Sequence, residues 1–150
     1  MAKALWIDSK NRTITEVDCN GLEDMRKYVG GSICFAMSWN TGDVLYVDDE
    51  GLLKPQDHFF MLPGCQNPLA GDGLIVGPEV ETEDRWWTEN NIITISELKV
   101  TWMTREQAWR WAVNHGMITY PFLKFLILVM INTMHFVQTR LPRNSTLLIY

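Results

Sequence analysis

Short runs of hydrophobic residues, separated by clusters of turn-forming residues, fill the N-terminal half of the chain and predict β-strands. Residues 4–7 and 12–17 predict the two strands of a hairpin, because the residues between them are turn formers. Further apolar runs predict strands at residues 44–47, 58–62 and 74–76, each close to a glycine or a proline. The pattern therefore favours a sheet joined by short turns.

One helix interrupts these strands at residues 21–29. Asn20 is its predicted N-cap, and acidic residues in its first turn and basic residues in its last turn complement the helix dipole. Its apolar face consists of residues at helical spacing, namely Leu22, Met25 and Val29. The helix is amphipathic, so we expect it to pack on the sheet.

Gly30 and Gly31 end this helix abruptly. Glycine adopts the left-handed backbone conformation of a helix C-terminus without steric cost, so the chain can turn straight back over the sheet. Residues 33–37 follow and are apolar on both faces, which predicts a buried central strand. We expect Gly31→Val to destabilise the protein, because a β-branched residue resists a positive φ.

The C-terminal half contains a second predicted helix. Alternation over residues 92–102 predicts one or two strands. Thr104 and Gln107 then match a capping box, which predicts a helix over residues 105–115. We therefore expect one α+β domain, residues 1–116, with a mixed or mainly antiparallel sheet and two short helices.

Residues 117–150 differ in composition from everything before them. Within residues 122–137, 12 of 16 are apolar, whereas a membrane-spanning helix needs roughly 20 predominantly apolar residues. We favour an apolar C-terminal helix or strand packed on the domain or on a partner. A membrane-associated segment and a marginally ordered tail are the less favoured alternatives.

The charge distribution bounds the function. The net charge is −5, but residues 1–116 carry −8 while residues 117–150 carry +3 and no acidic residue. An acidic protein repels phosphates, so we do not expect binding to extended nucleic acid. The three cysteines, Cys19, Cys34 and Cys65, lack the spacing of a zinc site, so we expect each of them to be a small core residue. Their odd number indicates a reducing, cytoplasmic setting.

Three stretches carry a family resemblance: "GLEDMRKYVGGSICFA", "GDVLYVDDEGLL" and "LAGDGLIVGP". In this order they resemble the DUF3846 family, small proteins common in bacteriophages and other mobile elements, over residues 4–78. The resemblance implies a compact α+β fold and a phage or bacterial cytoplasmic setting. It supplies no catalytic residues.

The sequence contains no legible catalytic or metal-binding constellation. The acidic residues of "DVLYVDDEGLL" lack the spacing of a calcium loop, and no helix follows the glycines of "LAGDGLIVGP" to receive a phosphate. The histidines are dispersed, and no serine or cysteine has a recognisable base partner. We therefore predict a protein that is not an enzyme and holds no metal and no cofactor.

Tryptophan is the most informative residue type, with seven in the chain and five of them within 26 positions. Trp109 shares a face of the second predicted helix with Ala112 and Val113. Trp111 lies on the opposite flank with Ala108, so one sheet cannot bury both rings. We favour a core or oligomer interface for these rings, with a small-ligand cleft and a protein-binding hot spot as alternatives. The predicted ligand-binding residues are Arg85, Trp86, Trp87, Lys99, Trp102, Arg105, Trp109, Arg110 and Trp111.

Two functional hypotheses follow. The first is a non-enzymatic phage or mobile-element accessory protein that binds a host protein or assembles with itself, in which case we expect a homo-oligomer. The second is a small-molecule binder that sequesters a nucleotide-type host signal in anti-defence, because aromatic rings beside cations suit a nucleobase and its phosphates. Mimicry of DNA charge ranks lower, because a net charge of −5 is modest for a mimic.

Overall fold

The described part of the chain, in a computed structural model, comprises residues 2–81 and 86–116. The predicted C-terminal element over residues 117–150 and the predicted site residue Arg85 lie outside these residues. The described elements, in chain order, are β1 (Ala2–Asp8), β2 (Thr13–Cys19), α1 (Leu22–Val29), β3 (Ile33–Ser38), β4 (Val44–Asp48), β5 (His58–Met61), β6 (Leu69–Ala70), β7 (Gly73–Val76), β8 (Glu79–Glu81), β9 (Trp86–Thr88), β10 (Thr101–Thr104) and α2 (Arg105–Asn114).

The strands form antiparallel sheets. A five-stranded sheet has the order β2-β1-β7-β4-β3, a three-stranded sheet has the order β10-β5-β6, and β8 pairs with β9. With the two helices, this arrangement confirms the predicted α+β class and its mainly antiparallel character. β7 lies at the centre of the larger sheet, and all four of its residues are buried.

The elements pack in layers. On one face of the five-stranded sheet, Met25 and Val29 of α1 contact a cluster that includes Leu74 of β7. The opposite face packs on the three-stranded sheet, where Phe60 of β5 joins the largest apolar cluster. The neighbouring Phe59 points the other way and packs with α2. The order of layers is therefore α1, large sheet, small sheet, α2.

The start and end of α1 differ in detail from the prediction. The N-cap is Gly21 rather than Asn20, whose backbone N–H instead donates to Oδ2 of Asp24 at 2.7 Å. Gly30 has the left-handed conformation expected of a helix end, with φ 86°. Gly31 has no positive φ; a Cβ there would lie 2.8 Å from both Asp48 Oδ1 and Lys54 Nζ. Crowding, and not backbone strain, is therefore the reason to expect that Gly31→Val destabilises the protein.

The prediction that residues 33–37 form a central strand is wrong. Among the described strands β3 pairs only with β4, so it is an edge of the five-stranded sheet, and its Phe35 is 59% exposed. Both faces of this edge strand are apolar because each one packs on a different cluster. Ile33 joins the cluster under α1, and Met37 joins the cluster between the two sheets. A bulge lies between Phe35 and Met37. Such irregularities are common on edge strands, where they discourage further pairing.

Residues 92–100 are not a strand, contrary to the prediction, because their backbone groups are satisfied in other ways. The N–H groups of Ile92 and Ile93 donate to the carboxylate of the fully buried Asp43, at 2.8 and 3.2 Å. Thr94 and Glu97 then form a capping box around a short 3-10 turn at Ile95–Glu97. Only Thr101–Thr104 of this region is a strand.

Candidate functional site

The N-terminus of α2 is fixed by its own sequence and by Asp57, the residue before β5. Gln107 N–H donates to the hydroxyl of Thr104, and Thr104 N–H donates to the side-chain oxygen of Gln107. The backbone N–H of Arg105 donates to the carbonyl of Asp57 at 3.2 Å. The predicted capping box and helix are confirmed, and the helix begins directly where the small sheet ends.

The face of α2 that meets the small sheet consists of alanines. Ala108 packs with Phe59, and Ala112 is buried one turn later. At about 100° per residue, Trp109 and Trp111 lie about 80° to either side of this alanine line, and both are half-buried. Trp109 and Val113 share one flank of the helix, as their spacing predicts, but Val113 is 50% exposed and is not part of the buried face. Alanine takes the central line because its small side chain lets the helix approach the sheet closely.

The ring of Trp111 is stacked on His115. The two ring centroids are 3.9 Å apart with an interplanar angle of 14°. His115 is held in place because its Nδ1 lies 2.8 Å from the carbonyl oxygen of Trp111, at the C-terminal end of the helix. The chain's own imidazole therefore covers one face of this indole, and Trp109 is the tryptophan of α2 without a described ring partner.

Two arginines of α2 have different surroundings. Arg110 is exposed and pairs with Glu106 on the helix surface at 2.6 Å. Arg105 is mostly buried, and its Nη1 lies 3.4 Å from Oδ1 of Asp57. That nitrogen is inaccessible to solvent and has no hydrogen-bond partner within the described residues. A buried guanidinium N–H without a hydrogen-bond acceptor costs free energy. An additional acceptor at Nη1 of Arg105 would therefore stabilise the protein or a complex formed there.

The other predicted site residues belong to other segments than α2. Trp102 pairs with Phe60 across the small sheet and packs in the cluster between the two sheets, on the face away from α2. Lys99 is exposed on the segment before β10. Trp86 and Trp87 lie on β9, paired with β8. Of the predicted site residues, α2 therefore carries Arg105, Trp109, Arg110 and Trp111, on different sides of the helix: the two rings flank the alanine line, and Arg110 lies on the exposed side.

Sequence reasoning missed a polar cluster at the end of the central strands. Oδ1 of Asp72, just before β7, accepts hydrogen bonds from the backbone N–H and the hydroxyl of Ser9, at 2.9 and 3.2 Å. Burial raises the pKa of Asp72 and the nearby charge of Asp8 adds to this, while the Ser9 bonds and His58 oppose it. The pairing of β1 with β7 creates this cluster, and short-range patterns do not encode that pairing.

The remaining titratable groups favour packing over chemistry. Burial raises the pKa of the thiols of Cys19, Cys34 and Cys65, which opposes formation of the nucleophilic thiolate. No three His, Cys, Asp or Glu side chains within residues 2–81 and 86–116 are grouped to hold a metal ion. None of the helices described has the length and apolar character that a membrane crossing requires.

Comparison with known proteins gives one match. The model of a domain of unknown function, DUF3846, matches residues 2–98. No curated protein and no solved structure matches the chain significantly. The match includes the whole five-stranded sheet, α1 and the Asp72 cluster, and it ends before β10 and α2. Because it covers more than half of the sequence, the chain belongs to the DUF3846 family.

Proposed function

We propose that this protein is a non-enzymatic binding protein whose contact surface is centred on α2. The observation that carries the proposal is the position of Trp109 and Trp111, both half-buried on the flanks of the alanine line, in the outer layer of the described part of the domain. Partly exposed tryptophans are the side chains that most often dominate the energy of protein interfaces, because they bury a large area with few rotatable bonds.

The charged residues of α2 suit the rim of such an interface. Arg110 and Glu106 form an exposed pair one turn apart, on the part of the helix that faces away from the small sheet. Exposed pairs of this kind contribute little to stability, but charges at a rim select partners and set the rate of association. The flat aromatic flanks would then supply the affinity.

The partner is a protein, either a second copy of this chain or a protein of the host. We place the protein in the cytoplasm, as an accessory protein of a phage or another mobile element, on the basis of its resemblance and its cysteine usage. α2 lies beyond the residues that the family model matches, so the match does not extend the proposed surface to other members of the family.

The test is native mass spectrometry of the full chain purified from its native host, comparing wild type with Trp109→Ala. We expect a mass above that of the monomer for wild type and a loss of that species in the variant. Leu22→Ala is the matched control, because Leu22 is an exposed apolar residue of α1, which packs on the far face of the large sheet. The proposal is rejected if wild type is a bare monomer, or if Trp109→Ala keeps the partner as well as Leu22→Ala does.

A second candidate is the sequestration of a nucleotide-type small molecule. It is favoured by Arg105, one turn from Trp109, whose Nη1 lies 3.4 Å from Asp57 and has no hydrogen-bond partner among the described residues. The charge of an arginine attracts phosphate oxygens, and an indole face stacks on a base. Tryptophan fluorescence and thermal melting of the full chain with a broad panel of nucleotides would test this function. Binding should quench the fluorescence and raise the melting temperature, and both responses should weaken in Arg105→Gln. If no nucleotide gives either response, this candidate is excluded.

A further inference from the structure

We draw no further inference here: the strongest candidate, the apolar edge that β3 presents among the described strands, with its exposed Phe35, carries no proposal because nothing in the structure shows what covers it.

Discussion

Asp43 and Asp72 are both withdrawn from solvent, but their surroundings differ. The carboxylate of Asp43 accepts two backbone N–H groups and the hydroxyl of Thr41, so it is a fully used structural acceptor. Asp72 has donors only from Ser9 among the described residues, and Asp8 repels its charge. Asp43 holds residues 92–93 at the end of the large sheet through its hydrogen bonds. Ionisation of Asp72, in contrast, costs free energy that its two hydrogen bonds do not fully offset.

Replacing Asp72 by Asn should change how stability depends on pH. Because its pKa in the folded protein is raised above the usual 3.8, the folded state binds more protons than the unfolded state just above that pH. The free energy of unfolding of wild type therefore falls as pH rises through this window and stays lowered above it. Asp72→Asn keeps an oxygen for the Ser9 donors but cannot ionise, so it should gain stability relative to wild type between about pH 4 and about pH 7.

Urea denaturation at a series of pH values measures this difference, with freshly purified variant because Asn-Gly sequences deamidate. Ser9→Ala is the companion variant. It removes a hydroxyl that stabilises the ionised carboxylate, so the fall in stability with rising pH should be larger than in wild type. A difference between Asp72→Asn and wild type that does not change with pH would show that the environment of Asp72 does not disfavour its charge.

Elements with a local signal could be predicted from the sequence, and elements set by distant pairing could not. α2 begins where its capping box places it, and Gly30 ends α1 in the left-handed conformation. β3 is an edge strand among the described strands because β7, from a distant part of the sequence, takes the other side of β4. Residues 92–100 do not form the predicted strand because Ile92 and Ile93 bind Asp43, about fifty positions earlier. For the candidate site, the helix was predicted but its buried face was not, because helical spacing cannot tell which line of small residues meets the sheet.

The buried face of α2 can be tested by adding volume to neighbouring positions. Ala112→Leu inserts a large side chain where the helix lies against the domain, so it should lower the free energy of unfolding by about 1–3 kcal/mol. Val113→Leu, one position further on, adds a methylene to a half-exposed residue and should change it by less than about 0.5 kcal/mol. Urea denaturation gives both values, and equal losses at the two positions would contradict the observed rotation of the helix.

The whole domain depends on how closely its two main sheets approach each other. The sheets share one apolar cluster, in which Phe60 of the small sheet lies against the central strands of the large one. The sheets approach closely at Gly73, where an added Cβ would lie 2.7 Å from Cζ of Phe60 on the small sheet and 2.9 Å from Cδ1 of Leu45 on the adjacent strand β4. Gly73 has no positive φ, so its backbone conformation does not require a glycine. The lack of space for a Cβ does. This contact lies within the family match, unlike α2, so the layered core is the part that relatives are expected to share.

A double-mutant cycle tests whether this approach is what holds the two sheets in register. Gly73→Ala should destabilise the domain by about 1–3 kcal/mol, because the added methyl must push Phe60 or Leu45 out of place. Phe60→Leu removes the ring atoms that the methyl meets, at the cost of a less well-filled core. If the contact is the cause, the double variant should be more stable than the sum of the single effects by at least about 0.5 kcal/mol, measured by urea denaturation. Additive effects would mean that the large sheet yields at Gly73 without involving Phe60, and that the spacing of the layers is set elsewhere in the core.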